Sequence, residues 1–231
     1  MDMNRYQAAT RPLVAASESA NDILWVTYRW MSVGLGITGL VAWLVSQSPA
    51  ALELVVGNRF VFYGLLIAQI GIVLAFNPVA ARASAVVAGA MFFTYAALTG
   101  LTFSVLFLLY TSSSIASTFL VTSGAFAGLS VFGAVTHRDL SGVGRFAIFA
   151  LIGLIIASVA NLFLASSALM WITTFAGVAI FAALTAYDTQ KLLALYAAGA
   201  GGNLALRGAL TLYLDFVNMF LFMLRLFGRR K

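Results

Sequence analysis

Residues 208–227 read GALTLYLDFVNMFLFMLRLF, a run in which Asp215 and Arg225 are the only charges. At ~1.5 Å per residue such a helix is about 30 Å long, the thickness of a bilayer's hydrocarbon core. Thr211, Asp215, Asn218, Phe222 and Arg225 recur at helical spacing and make one polar stripe, opposite a face of Leu, Val, Met and Phe. A lipid tail region cannot solvate a carboxylate. A residue like Asp215 is costly there and faces a bundle interior, a partner or a water path. The stretch therefore predicts a transmembrane helix in the interior of a bundle.

Six further stretches are apolar enough to span: Tyr28 to Ser46, Phe60 to Phe76, Ser84 to Leu109, Ile115 to Val135, Phe146 to Ala165 and Leu169 to Tyr187. The chain of 231 residues is 62% hydrophobic and 9% charged, with a mean hydropathy of +1.01. No soluble domain of that size hides so much apolar surface. The expected class is all-α, a seven-helix membrane bundle over residues 28–228. A polar cytosolic tail (1–27) precedes it and a short basic tail (229–231) follows. The first tail lacks the apolar run of a cleavable signal. Asn77-Pro78 is expected to end the second span, and the Gly/Ala-rich residues 197–203 to form a hinge between the last two.

Charge placement predicts topology. With a cytosolic N-terminus, Arg5, Arg11, Arg29, Arg82, His137, Arg138, Arg145, Lys191 and Arg207 fall on the cytosolic side, and only Arg59 lies in an outer loop. Arg229, Arg230 and Lys231 break the pattern. Either the last segment crosses against the charge rule, or it re-enters and returns. The net charge of +6 is scattered over span ends, so no nucleic-acid partner is expected. Small residues should mediate packing: Gly124 with Gly128, Gly34, Gly39, and Gly153 with Ala157. Asn161 is expected to hydrogen-bond across helices.

A second carboxylate, Asp188, stands at the end of the sixth span. Asp215 lies ~12 Å beyond Arg207 along the seventh, so antiparallel neighbours bring the two acids to similar depth. Two close carboxylates in a poorly solvated site cannot both ionise cheaply. They would share a proton and titrate as one unit, a physical basis for pH sensing between about pH 6 and 8. The alternative is two separate structural acids, paired with Lys191, Arg207 or Arg82 or capping helices. Carboxylates are also hard ligands suited to Ca²⁺, although so few acids make only a weak, transient site at Asp188 and Asp215.

Cys is absent, which excludes disulfides and thiolate chemistry. With a single His and no Cys, no transition-metal centre is expected. His137-Arg138-Asp139 has the order of a kinase catalytic loop, but no glycine-rich nucleotide loop accompanies it.

Three motifs carry a family resemblance: Tyr-Ala-Ala-Leu-Thr-Gly-Leu-Thr (95–102), Ala-Tyr-Asp-Thr-Gln (186–190) and Leu-Tyr-Leu-Asp-Phe-Val-Asn-Met-Phe-Leu-Phe-Met-Leu-Arg-Leu-Phe-Gly (212–228). With them the chain resembles the Bax inhibitor family, the transmembrane Bax inhibitor motif proteins, in a bacterial form. The resemblance runs from about Tyr28 to the end. It implies seven helices with the last one central, a plasma-membrane location, and a pH-sensitive calcium leak with calcium as the permeant ion and no bound cofactor. It implies that Asp188 and Asp215 form the sensor and that Arg82 locks onto Asp188. Thr211 and Asn218 extend the polar lining of the pore. The neighbours Ala80, Ala81 and Ala83 stand where relatives often have more basic residues, so the lock would rest on Arg82 alone.

Two other classes compete. Some bacterial relatives are linked to a membrane-bound ATP-dependent protease, so an interaction protein regulating a protease or a stress or cell-death factor is the alternative. An intramembrane aspartyl protease also needs two aspartates, and Tyr187-Asp188 is similar to its first motif. Its second motif, Gly-x-Gly-Asp, is absent because Tyr213-Leu214 precede Asp215. No enzyme activity is expected. The partners expected are the lipid bilayer, calcium and protons.

Overall fold

The computed structural model describes residues 3–231, with side chains from residue 22 onward. Seven of its helices are long and apolar enough to cross a membrane. They are α1 (Met3–Ser46), α2 (Arg59–Ala80), α3 (Ala85–Phe103, extended by a turn at Leu106–Leu109), α4 (Ser112–Val135), α5 (Ser141–Leu164), α6 (Ser167–Ala197) and α7 (Leu204–Phe227). Among the residues with described side chains, the apolar span of α1 is Asp22–Ser46. Arg5 and Arg11 of the N-terminal tail lie outside the described side chains.

A backbone in hydrocarbon must satisfy its own polar groups, and the helix starts show how. Asn58, Ser84, Thr111 and Ser166 are N-caps whose side-chain oxygens accept from backbone N–H groups one or more positions into the helix. The second span does not stop at Asn77. Pro78 lies inside α2, which continues to Ala80. A proline this near the C-terminal end removes one hydrogen bond of the last turns, and the helix tolerates the loss.

α7 packs against α1, α2, α3, α4 and α6, while α5 lies along α6. In its most apolar window 56% of α7 is buried inside the protein, against 6% for α2 and 11% for α5. The last helix is thus the core of the bundle. Tyr213 anchors it. Its ring meets Phe92 and Tyr95 edge-on at 5.8 and 5.7 Å. Its hydroxyl and that of Thr38 on α1 are 2.6 Å apart, and Thr38 donates onward to the Ala96 carbonyl of α3 at 2.9 Å.

Several packing expectations are corrected. Gly124, Gly128, Gly39 and Gly153 have nothing within 4 Å of a built Cβ, so they are not close approaches within the bundle. The Gly124–Gly128 pair is exposed. Gly34 is a close approach, since a Cβ there would lie 2.6 Å from the Phe92 ring. The tightest approach is at Gly133 of α4, where a Cβ would strike the Ala186 carbonyl of α6. Asn161 does not bridge helices. Its oxygen accepts from Ser166 N–H at 2.9 Å, closing the turn between α5 and α6.

The chain end also has a definite place. Thr111 N–H donates to the Arg229 carbonyl at 3.1 Å, and Lys231 N–H to the Leu109 carbonyl at 3.0 Å. α7 therefore crosses completely, to the end of the bundle where α3 hands over to α4. The opposite end holds the turn after α2, the loop 136–140 and the loop 198–203. Asn203 joins the first and last of these by donating to the Ala80 and Ala83 carbonyls, both at 2.9 Å.

Candidate functional site

The segment Ala186–Gln190 lies in the middle of α6 and not at its end, because α6 runs ten residues past Tyr187. Each residue has a contact. The Ala186 carbonyl abuts Gly133, and the Tyr187 ring lies against Gly144 of α5. Thr189 Oγ1 donates to the Thr185 carbonyl at 2.8 Å. Gln190 clamps the loop between α4 and α5, accepting from Leu140 N–H and donating to the Arg138 carbonyl, each at 2.9 Å. These contacts hold α6 by two faces and turn Asp188 toward α7.

Asp188 lies about 14 Å from the C-terminal end of α6, and Asp215 about 16 Å from the start of α7. The loop 198–203 reverses the chain, with Gly199, Gly202 and Asn203 at positive φ. The depths match, and the two carboxyl groups lie beside each other. Two carboxyls this close in a poorly solvated site favour a state in which one of them holds the proton. Asp215 is only 4% exposed, and its Oδ2 has no hydrogen-bond partner. Asp188 is half-buried.

Asp188 opens onto a cavity of about 110 Å³ that is also lined by Asn77, Lys191, Arg207 and Thr211. That volume holds several waters. Lys191 is the charge beside Asp188, and its ammonium lies over the Tyr187 ring at 5.5 Å. Arg207 Nε donates to Asn77 Oδ1 at 3.3 Å. The groups facing the pair are thus two cations and an amide, from α2, α6 and α7.

Arg82 is not among them. It is exposed in the turn after α2, and that turn is pinned to the loop 198–203 through Asn203. The family resemblance implies that lock, together with a shared cytosolic depth for Arg82 and Asp188. With α6 longer, Asp188 sits deeper, and Lys191 and Arg207 occupy the positions nearest to it.

The polar stripe of α7 divides. Thr211 lines the cavity and donates to its own Arg207 carbonyl at 3.1 Å. Asn218 donates to the Leu214 carbonyl at 2.8 Å. Beyond Asp215 the stripe continues to Phe222. Its ring stacks on Phe181 with centroids 6.0 Å apart and planes at 26°. It also sits so close to Gly177 that a Cβ there would be 2.6 Å from the ring, and Arg225 lies over it at 5.6 Å. The sequence places Phe222 on the stripe but does not show that it stacks on Phe181. The legible signal was a glycine on α6 one turn from a phenylalanine.

Among the described residues no three His, Cys, Asp or Glu side chains cluster. The two aspartates are the whole anionic set, well short of the six to eight oxygens that Ca²⁺ prefers. In the loop 136–140, Asp139 is held below its ordinary pKa by hydrogen bonds from Ser141. It stays ionised through neutral pH and is no candidate for titration there.

Comparison with known proteins agrees with this architecture. The sequence profile of a family described as inhibitor of apoptosis-promoting Bax1 matches residues 20–231. The chain is 48% identical to inner membrane protein YbhL of Escherichia coli K12 over 210 residues, which cover 88% of this chain and 90% of that protein. It is 46% identical to an uncharacterized protein of Deinococcus radiodurans over 208 residues, 88% and 89% of the two chains. It is 33% identical to an uncharacterized membrane protein of Streptococcus pyogenes over 207 residues, 87% and 90%. With the match running through all seven spans, the chain belongs to the Bax inhibitor family of membrane proteins.

Proposed function

We propose that this protein is a pH-sensitive calcium leak pathway, held shut in the conformation described above and gated by the proton shared between Asp188 and Asp215. The observation that carries the reading is Asp215 itself: a carboxyl buried near mid-helix with one oxygen unpartnered, beside Asp188, which opens onto a polar cavity. Such a group has no evident structural use. A buried acid in a bundle core is a functional position by default.

In this reading a cation enters through the cavity beside Lys191 and Arg207. It competes with the shared proton for the carboxylates and leaves past Phe222 when that ring withdraws. Hydrophobic constrictions close pores by dewetting, and Phe222 against Phe181 and Gly177 has that character. Two carboxylates bind Ca²⁺ too weakly to retain it, as conduction requires. No catalytic activity is proposed. We place the protein in a bacterial inner membrane, by analogy with the relative of that name, with the N-terminus and the Asp188 cavity facing the cytosol by the loop charge bias.

The test is calcium uptake into proteoliposomes across pH 5–9, with Asp215→Asn as the comparison. Wild-type flux should vary through about pH 6–8 and the variant's should not. A wild-type protein that passes no calcium at any pH would leave the regulatory reading, in which the fold serves a partner protease, as the better one.

A further inference from the structure

We infer that the lateral groove between α1 and α4 is a binding site for an anionic phospholipid, with its acyl chains in the groove and its phosphate on the Arg229-Arg230-Lys231 tail. The groove measures about 1030 Å³ and is walled by residues such as Met31, Leu35 and Gly39 of α1 and Ile115, Phe119 and Ser123 of α4. Phe216 of α7 forms part of its floor. The walls are apolar or small, as a hydrocarbon chain requires. A packed helix is roughly 10 Å across and, over 24 residues, about 36 Å long, too bulky to be held by this volume. A flexible acyl chain fits within it.

The mouth of the groove gives the lipid its charge class. The tail folds back onto the α3–α4 junction through the two backbone bonds to Thr111 and Leu109, an antiparallel bridge between Tyr110 and Arg230, and Arg229 N–H to Ser114 Oγ at 2.9 Å. Lys231 Nζ donates to the Phe107 carbonyl at 2.7 Å. Phe107 and Ser112 both line the groove. Three exposed cationic residues are therefore fixed beside its opening. Gly228 permits the fold-back, since a Cβ there would meet the Leu224 carbonyl and lie 2.6 Å from the Tyr110 ring. Like charges held together on an ordered backbone repel one another, and a phosphate relieves that. Arginine's fork also matches phosphate oxygens in pairs. Basic pockets between membrane helices recognise anionic head groups on this principle.

The floor links the site to the helix core. Phe216 follows Asp215 on α7, so an acyl chain in the groove touches the helix that carries Asp215.

Native mass spectrometry of the full-length protein in detergent tests this directly, with phosphatidylglycerol and phosphatidylcholine of identical chains as probes. Wild type should retain phosphatidylglycerol preferentially. Replacing Arg229→Gln, Arg230→Gln and Lys231→Gln should weaken that lipid by roughly fivefold per cation at low salt, leaving phosphatidylcholine unchanged. Ala116→Trp, or Ser123→Leu should the first not fold, fills the groove and should reduce retention of both lipids. Equal retention of the two lipids by wild type, or undiminished phosphatidylglycerol binding by the tail variant, overturns the proposal. So does retention of glycerol 3-phosphate as tightly as the whole lipid, which would make the tail a site for a soluble anion. A two-copy species that the groove-filling variant abolishes would assign the groove to a second copy instead. Each outcome reads binding, so it is independent of whether the protein passes calcium.

Discussion

Truncating Phe222 to alanine should make the bundle leak. The ring is the one large apolar side chain on the α7 stripe beyond Asp215, and it stacks on Phe181 at 6.0 Å while filling the space above Gly177. An aromatic pair is worth ~0.5–1.5 kcal/mol beyond its buried area. If opening separates the two rings, the truncation removes that preference for the closed state, and ~1.4 kcal/mol is a tenfold change in an equilibrium. Basal calcium flux should therefore rise by roughly two- to twelve-fold, more where the missing ring also admits water. Fluorescent calcium uptake into proteoliposomes of matched protein content measures it. Phe222→Leu keeps an apolar side chain in the space and should leak less than the alanine variant. Adding Gly177→Leu to Phe222→Ala refills the space from the other helix and should bring flux back down. If Phe222→Ala folds normally, shows wild-type flux at every pH, and Gly177→Leu changes nothing, the plug is only packing.

The remaining predictions address the pair, its surroundings and the fold. Asp188→Asn and Asp215→Asn should each flatten the pH response of flux, and the double variant should add little; additive effects would make them two separate structural acids. His137→Gln, which removes the exposed imidazole of the loop 136–140, should leave that pH response intact. Lys191→Gln should change flux more than Arg82→Ala, because Lys191 and not Arg82 lies beside Asp188; the reverse order would restore the lock first expected from Arg82. A cysteine at Glu53 should label from the same side as one at Lys231, and from the opposite side to one at Arg138; labelling of Lys231 with Arg138 would contradict a complete seventh crossing. Gly133→Ala drives a methyl group into the Ala186 carbonyl, a backbone atom with no easy retreat, and should destabilise the protein by about 1–3 kcal/mol, read as a lower melting temperature in detergent.

The seven spans, the central position of the last helix and the two candidate acids were legible in the chain itself. Hydropathy reports how a stretch partitions into lipid, a property of consecutive residues that needs no neighbour. A lone Asp in such a stretch declares its cost in the same way, and the 3.6-residue repeat shows which face it shares with Thr211 and Asn218. Pairwise choices were not legible. Whether Gly133 or Gly124 is the close approach depends on which side of α4 meets α6, and both sides carry small residues. Whether Arg82 or Lys191 attends Asp188 depends on where α6 ends, and a helix leaving the membrane continues past its apolar stretch without changing its helical propensity. The charges of Arg229, Arg230 and Lys231 argued against a full seventh crossing. Only the hydrogen bonds from the tail to Leu109, Thr111 and Ser114 decided for it. The rules for lipid partitioning are additive along the sequence, whereas the meeting of Asp188 with Asp215, of Phe222 with Gly177 and of the tail with the groove's mouth is set by distances between helices that the chain brings together only on folding.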